Sequence, residues 1–381
     1  MILFFVVVFG VHALVNGYIG YRGWQVIPED PVWRWTYVLL FTFFALSFIA
    51  GRFLERVWIS PVSEALVWIG SFWLAAMMYL FLAVVLIDLA RLLQHFFQII
   101  PAQTYEALSA KRLWVGGGVL ALVTILLVAG HLNARNPRLR TVEVQLTKKI
   151  PGSGAMTIAM ASDIHLGTII GRQQFDRIVD RLIELKPDLI LLPGDIIDED
   201  LAPVLVEDVG DHLRALQAPL GVIACTGNHE YIGGVEEAVS YLREHGLTVL
   251  RDSVMTLANG VQVVGRDDRS IRQFAGKERK PLAELMKGVE AERPIILMDH
   301  QPFGLGEAAS AGIDLQVSGH THHGQLWPAN LITGAIYEVS WGLARIGQTH
   351  VYVSSGAGTW GPPVRLGNVP EIVFLRLRSA P

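Results

Sequence analysis

The sequence predicts two regions of different class: an all-α membrane region of four helices, followed by a layered α/β domain. Charge distribution is the first sign. Only thirteen of the sixty-six Asp, Glu, Lys and Arg residues fall within residues 1–130, in a chain of 381 residues that is 51% hydrophobic. The second sign is periodicity, because short apolar runs beyond residue 155 alternate with amphipathic helical stretches. The third is that five of the apolar runs end in Asp, Asn or His, which places polar chemistry at successive strand ends. At this length two separate cores can form.

The membrane region is expected to span residues 1–132. Residues 1–21 carry no charge and are long enough, at 1.5 Å per residue, to cross about 30 Å of hydrocarbon. The absence of a basic segment ahead of them and of a small-residue cleavage site favours an uncleaved span over a signal peptide. Trp33 and Trp35 suit the headgroup level and open a second span over 33–50. A third covers 65–87 and a fourth 113–130, where Gly116, Gly117 and Gly118 would permit close helix approach. No polar pair within the spans marks a transport path. Leu89, Leu92, Leu93, Phe96, Phe97 and Ile100 recur at helical spacing, either as an interfacial amphipathic helix or as a continuation of the third span. Five Lys and Arg in one set of loops against seven in the other favour a cytoplasmic location for the region that follows.

Residues 133–155 read as a linker with a first half-buried strand, Thr141 to Leu146, and the layered α/β domain is expected over 156–381. Phe175, Ile178, Val179 and Leu182 form one helical face; Val235, Ala238, Val239 and Leu242 form another. Between such helices lie the runs Thr157 to Ala161, Leu189 to Leu192, Gly221 to Ala224 and Ile295 to Met298. Apolar runs this short suit strands buried on both faces. The net charge of −4 gives no footprint for nucleic acid, so none is expected as a partner. The single Cys225 excludes a disulfide framework and a cysteine zinc site, and reads as a buried strand-end residue without chemistry.

The motifs that end these runs are Asp163-Ile164-His165, Gly194-Asp195, Gly227-Asn228-His229-Glu230, Asp299-His300 and Gly319-His320-Thr321-His322. Each alone has an ordinary structural explanation. Together they hold five of the twelve histidines, and imidazole, carboxylate and amide are ligands for divalent metals.

In this order and spacing the motifs resemble the signature of the calcineurin-like metallophosphoesterase superfamily. With the preceding spans, the likeness is to transmembrane metallophosphoesterase-domain proteins and the YkuE-like branch. The resemblance implies a four-layer metallophosphoesterase β-sandwich flanked by helices. It also implies two divalent metal ions, Mn, Fe or Zn. Asp163, His165 and His322 would bind one and Asn228, His300 and His320 the other, with Asp195 bridging. His229 would be catalytic, contacting the substrate phosphate and protonating the leaving oxygen, with Glu230 orienting it. The expected activity is phosphoester hydrolysis by metal-bound hydroxide, with a phosphodiester as substrate. Attachment to membrane lipids points to a lipid-linked one.

Two alternatives stand beside it. One is pyrophosphate cleavage in a nucleotide-linked glycolipid such as UDP-2,3-diacylglucosamine, and the other is a membrane scaffold with a vestigial site. Arg266, Asp267, Asp268 and Arg269 read as a solvated charged turn, with pocket lining as the alternative. Arg345 and Arg365 are phosphate-contact candidates. His323 lies outside the expected ligand set.

Overall fold

The computed structural model describes residues 2–152 and 154–379, with the side chains of residues 2–5, 108 and 109 left out. The chain divides into two compact units, one of residues 1–131 with 361–364, the other of residues 132–360 with 365–381.

The first unit is helical: α1 (Ile2–Val26), α2 (Pro31–Val57), α3 (Pro61–Phe97), α4 (Ala102–Ser109) and α5 (Arg112–Ala134). Asp30 caps α2 by accepting from the Val32 and Trp33 amides, and Ser60 and Ser63 form a reciprocal capping box on α3. Both helices then begin with proline, whose fixed φ suits the first turn. Three helices among the described residues, α2, α3 and α5, are long and apolar enough to cross a membrane. Four had been expected. The expected first span, 1–21, falls partly outside the described residues, which omit Met1 and the side chains of residues 2–5.

Other expectations are corrected or decided. The apolar stretch after residue 88 continues the third span as one helix, about 55 Å long at 1.5 Å per residue. It stops where Gln98 turns left-handed and the Gln94 amide bonds both backbone groups of Ile100. Close approach occurs at Gly51 and Gly70 rather than throughout Gly116 to Gly118. A Cβ on Gly70 would lie 2.2 Å from the Phe48 amide nitrogen and one on Gly51 2.7 Å from that of Val67, whereas Gly117 and Gly118 face open space. Polar pairs do join these helices. Arg22 lies 2.6 Å from Asp88, which also accepts from the Tyr18 hydroxyl, and Trp73 donates to Asn16 at 3.0 Å.

The second unit is built on β1 (Arg138–Leu146), β2 (Ala155–Met160), α6 (Arg172–Glu184), β3 (Leu189–Pro193), α7 (Ala202–Val206), α8 (Gly210–Ala215), β4 (Val222–Cys225), α9 (Asn228–Gly233), α10 (Val235–Glu244), β5 (Thr248–Leu250), β6 (Ser253–Thr256) and β7 (Gln262–Gly265). It continues through α11 (Ile271–Ala275), α12 (Leu282–Leu285), β8 (Ile295–Met298), α13 (Leu305–Ser310), β9 (Leu315–Ser318), α14 (Ala329–Ile336), β10 (Gly342–Ile346), β11 (Thr349–Val353) and β12 (Glu371–Ser379).

Two six-stranded mixed sheets result, in the orders β1-β12-β2-β3-β4-β5 and β10-β11-β9-β8-β7-β6. One core holds them face to face. Ile158, Met160, Leu189, Leu191, Ile223 and Cys225 of the first sheet share it with Val263, Ile296, Met298, Leu315 and Val317 of the second. The alternate positions of the central strands are buried as well, which is why β3, β4 and β8 are apolar without a break, while in β9 the buried Gln316 is satisfied by Ser318. The sequence-predicted helices appear as α6 and α10, each burying the expected face. Within each sheet the central strands are parallel, so their carboxyl ends share one edge.

Candidate metal centre

The chemistry collects just beyond those ends. Asp163 and His165 follow β2, Asp195 follows β3, Asn228 and His229 open α9 after β4, His300 follows β8, and His320 and His322 follow β9. All but Asn228 and His320 are fully buried or nearly so. The backbone bends sharply to bring them there. Asp163, His165, Asp195, His320 and His322 all have φ between 45° and 70°, a left-handed conformation that costs non-glycine residues on the order of 1 kcal/mol or more each. Strain at so many functional side chains is sustained by the packed sheets beneath them.

Close packing also explains the glycines. A Cβ on Gly227 would lie 2.1 Å from Asp195 Oδ1, and one on Gly319 2.2 Å from Asp163 Oδ2. Each glycine leaves room for the carboxylate of another motif.

Two groups of donors meet around Asp195. In the first, Asp163, His165 and His322 point at one another: the two Nε2 atoms are 3.0 Å apart, and Asp163 Oδ1 lies 3.6 Å from His322 Nε2. In the second, Asp195 Oδ2 lies 3.1 Å from His300 Nε2. Asn228 Oδ1 lies 2.7 Å from His320 Nδ1 and 3.2 Å from His300 Nε2. Asp195 Oδ2 is also 3.9 Å from His165 Nε2, so one carboxylate borders both groups. All eight residues expected at the site are brought together.

The electrostatics of the donors follow from their burial and from one another. Burial, reinforced by His165, holds His322 well below its usual imidazole range, and burial with His300 takes His320 down to about 4. Burial also opposes charge on His300, but Asp195 overrides it and keeps this imidazole protonated well above its usual range. Asp195 is correspondingly held well below the carboxylate range; burial opposes this and His300 prevails. Imidazole nitrogens aimed at each other beside buried carboxylates are donors that a divalent ion would satisfy, so the donor set fits such ions.

Surrounding groups position the donors. Glu230 had been expected to orient His229. Instead its carboxylate accepts from the amides of Asp195, Ile196, Ile197 and Gly227 at 2.7 to 3.1 Å. It thereby fixes the turns that carry Asp195 and Asn228. The His229 side chain is met by Asp198, whose Oδ1 is 3.1 Å from Nδ1 and also 3.5 Å from His165 Nδ1. Sequence reasoning missed Asp198; the one signal was a second carboxylate three residues after Asp195. Against the cost of burial, Asp195 and then Asp198 raise His229 to about 9.

Arg365, named as a phosphate contact, is fully buried and lies with Nη2 3.1 Å from His322 Nδ1 while donating to the Gly358 carbonyl. Arg345 is exposed and bonded to Gln348. Arg266, Asp267 and Asp268 are buried rather than a solvated turn: Asp267 accepts from Thr226, Tyr231 and Arg251, and Asp268 from Gln301. His323 lies against Trp341.

Residues 156–324 match the calcineurin-like phosphoesterase family. An Aquifex aeolicus protein named as an uncharacterized metallophosphoesterase is 32% identical over 261 residues, covering 68% of this chain and 98% of that protein. The chain belongs to the metallophosphoesterase family. A Bos taurus relative, named transmembrane protein with metallophosphoesterase domain, is 34% identical over 276 residues, which cover 68% of this chain and 62% of that protein. The Bacillus subtilis metallophosphoesterase YkuE is 30% identical over 292 residues, 72% of this chain and 95% of its own length. This metallophosphoesterase is accordingly a metal-dependent phosphoric ester hydrolase, as the motif order implied, and its candidate ligands lie within the matched stretch.

Proposed function

We propose that this metallophosphoesterase is a membrane-anchored, two-metal phosphodiesterase acting on a lipid-linked phosphoester, with its catalytic domain on the cytoplasmic side. The observation that carries the reading is the carboxylate of Asp195, buried between two converging donor groups. Asp163, His165 and His322 would hold one divalent ion, Asn228, His300 and His320 a second, and Asp195 both. Bound Mn, Fe or Zn, all suited to this mixed donor set, would supply the Lewis acidity that activates water and neutralises phosphoryl charge.

The chain's own residues do the rest. Asp198 engages Nδ1 of His229, leaving Nε2 as the atom that donates to substrate. The neighbouring carboxylates favour the protonated ring, so His229 serves as the proton donor to the leaving oxygen. Trp360 meets the His229 ring edge-on at a centroid distance of 5.8 Å and limits its movement. Glu230 holds the Asp195 and Gly227 amides in place, which keeps both ligand turns rigid.

Lipid linkage is supported by the three membrane-length helices and by α14, which follows the His320 to His322 turn. This helix buries none of its residues and exposes Leu331, Ile332 and Ile336 at 65%, 62% and 58%. Water is a poor solvent for such a surface, and the acyl part of a lipid or the bilayer edge is a good one. A fourth span through α1 would place both ends of the helical region on the same side, and the excess of Lys and Arg in the loops on that side supports a cytoplasmic one.

The test is hydrolysis of bis(p-nitrophenyl) phosphate beside p-nitrophenyl phosphate by detergent-purified, manganese-loaded protein and its Asp195→Asn variant. Diester turnover that disappears in the variant supports the reading. A metal-loaded protein that cleaves neither ester but releases a nucleoside monophosphate from a nucleotide-linked glycolipid would replace it with pyrophosphate cleavage.

A further inference from the structure

Arg266, Arg269, Arg272 and Arg279 lie between β7 and β8, joined by Arg251 from the turn before β6, and Arg266 and Arg279 reach Asp299, the residue before His300. Arg251 pairs with Asp267 at 3.0 Å, Arg266 with Glu307 at 3.1 Å, Arg279 with Asp299 at 2.8 Å and Arg272 with Glu278 at 3.2 Å. Among the described residues Arg269 is the arginine of this group that makes no ion pair. Its guanidinium is nonetheless held: Nη2 donates to the Phe303 carbonyl at 3.2 Å and Cζ lies 5.4 Å from the centre of the Phe303 ring. Partial burial and the nearby Arg279 push its pKa down, against the opposing pull of Asp299 and Glu307.

This cation faces an open recess of about 520 Å³ lined by Arg269, Ser270, Arg272, Gln273 and Gln301. Gln301 directly follows His300. A wall of rings also connects the two places: the His320 ring lies 6.0 Å from Tyr337, and Tyr337 lies 4.8 Å from Phe303. A substrate whose reacting phosphate sits at the His320 end could run along this wall and reach Arg269 with its other arm.

We propose that the recess is a second anion subsite, in which Arg269 binds an anionic group carried on the substrate arm remote from the scissile phosphate. The proposal rests on the phosphodiesterase reading above. A planar guanidinium fixed on an aromatic face and left without a carboxylate is prepared to take phosphate or carboxylate oxygens in a paired geometry. Arg272, already paired with Glu278, supplies further positive potential at the rim.

The experiment compares two aryl diesters, propyl p-nitrophenyl phosphate and its phosphonopropyl counterpart, with wild type, Arg269→Ala and Arg269→Lys. Arg269→Ala is expected to raise KM for the phosphonopropyl ester about tenfold more than for the propyl ester, and Arg269→Lys to recover part of the difference. Thermal unfolding of each variant separates this from misfolding. Equal factors for the two esters would overturn the subsite. In parallel, calorimetric titration with a non-hydrolysable phosphonate analogue of the charged ester reads the subsite without turnover. Weaker binding to Arg269→Ala alongside no hydrolysis of any diester would retain the subsite and remove the phosphodiesterase reading. Equal binding to wild type and Arg269→Ala would remove the subsite itself.

Discussion

The two units of this protein are built inside out with respect to each other. In the helical unit the buried positions include Asn16, Ser47, Glu55, Ser63 and Ser71, while Leu39, Trp35, Phe53 and Val57 are at least two-thirds exposed. In the α/β unit the central strands bury mainly Val, Ile, Leu and Met. The difference is one of solvent. Helices long and apolar enough to cross a membrane would gain little by hiding apolar groups from lipid, and such helices associate through small residues and hydrogen bonds, here Gly51, Gly70 and the Asn16 and Asp88 contacts. The sheets face water and are held by apolar burial. Departures from the α/β pattern include the candidate metal centre and the Arg266 to Asp268 turn, which bury charge, and α14, which exposes an apolar surface as the helical unit does.

The contrast can be broken most severely at the buried charge. Asp195→Asn is expected to lower diester turnover by about a thousandfold or more and to reduce bound metal measured by elemental analysis. Circular dichroism should stay unchanged, since the substitution preserves shape. Asp198→Asn should lower kcat about 10- to 100-fold with a smaller effect on metal content, because its contacts are to the remote nitrogens of His165 and His229; unchanged kcat would remove it from the site.

The exposed apolar helix gives a smaller effect with a different signature. Replacing Leu331 and Ile332 together by Glu should leave hydrolysis of a soluble aryl diester near wild type and lower hydrolysis of a phosphodiester presented in vesicles by about tenfold. Equal rates on both would return α14 to an ordinary surface helix. On the stability side, Glu230→Ala leaves four buried amides without their acceptor and should cost about 3 kcal/mol by denaturant titration. Gly70→Leu should cost about 2 kcal/mol, read as a lower melting temperature in detergent, with little change in activity per folded molecule.

Much of this was legible because it is local. Hydrophobic periodicity marks α6, α10 and the central strands, since each element must bury a face whatever lies opposite it. The strand-end motifs are also local: a short polar triplet after an apolar run announces a ligand turn, and Asp163, His165, Asp195, Asn228, His300, His320 and His322 could all be named from their positions in the chain. Their assembly around Asp195 was less direct, because it depends on five strands sharing one edge.

Other features have no local signature. Asp267 and Asp268 look like a solvated turn in sequence and become buried acceptors only because Thr226, Tyr231, Arg251 and Gln301 converge on them from other elements. Glu230 carries a capping-like motif, but that its carboxylate ties the Asp195 turn to the Asn228 turn follows from the pairing of β3 with β4. The glycines at the helix contact could not be told from Gly116 to Gly118 by spacing, because which glycine meets a backbone depends on which helices pack. The sequence by itself determined the two classes of region and the metal-dependent hydrolase family, and it named the candidate ligands that the fold brings together. The tertiary structure decided which charges are compensated, which apolar side chains stay exposed and which polar groups hold the ligands in place. Composition and periodicity report the solvent each element expects, whereas pairing between distant side chains exists only once the elements have packed.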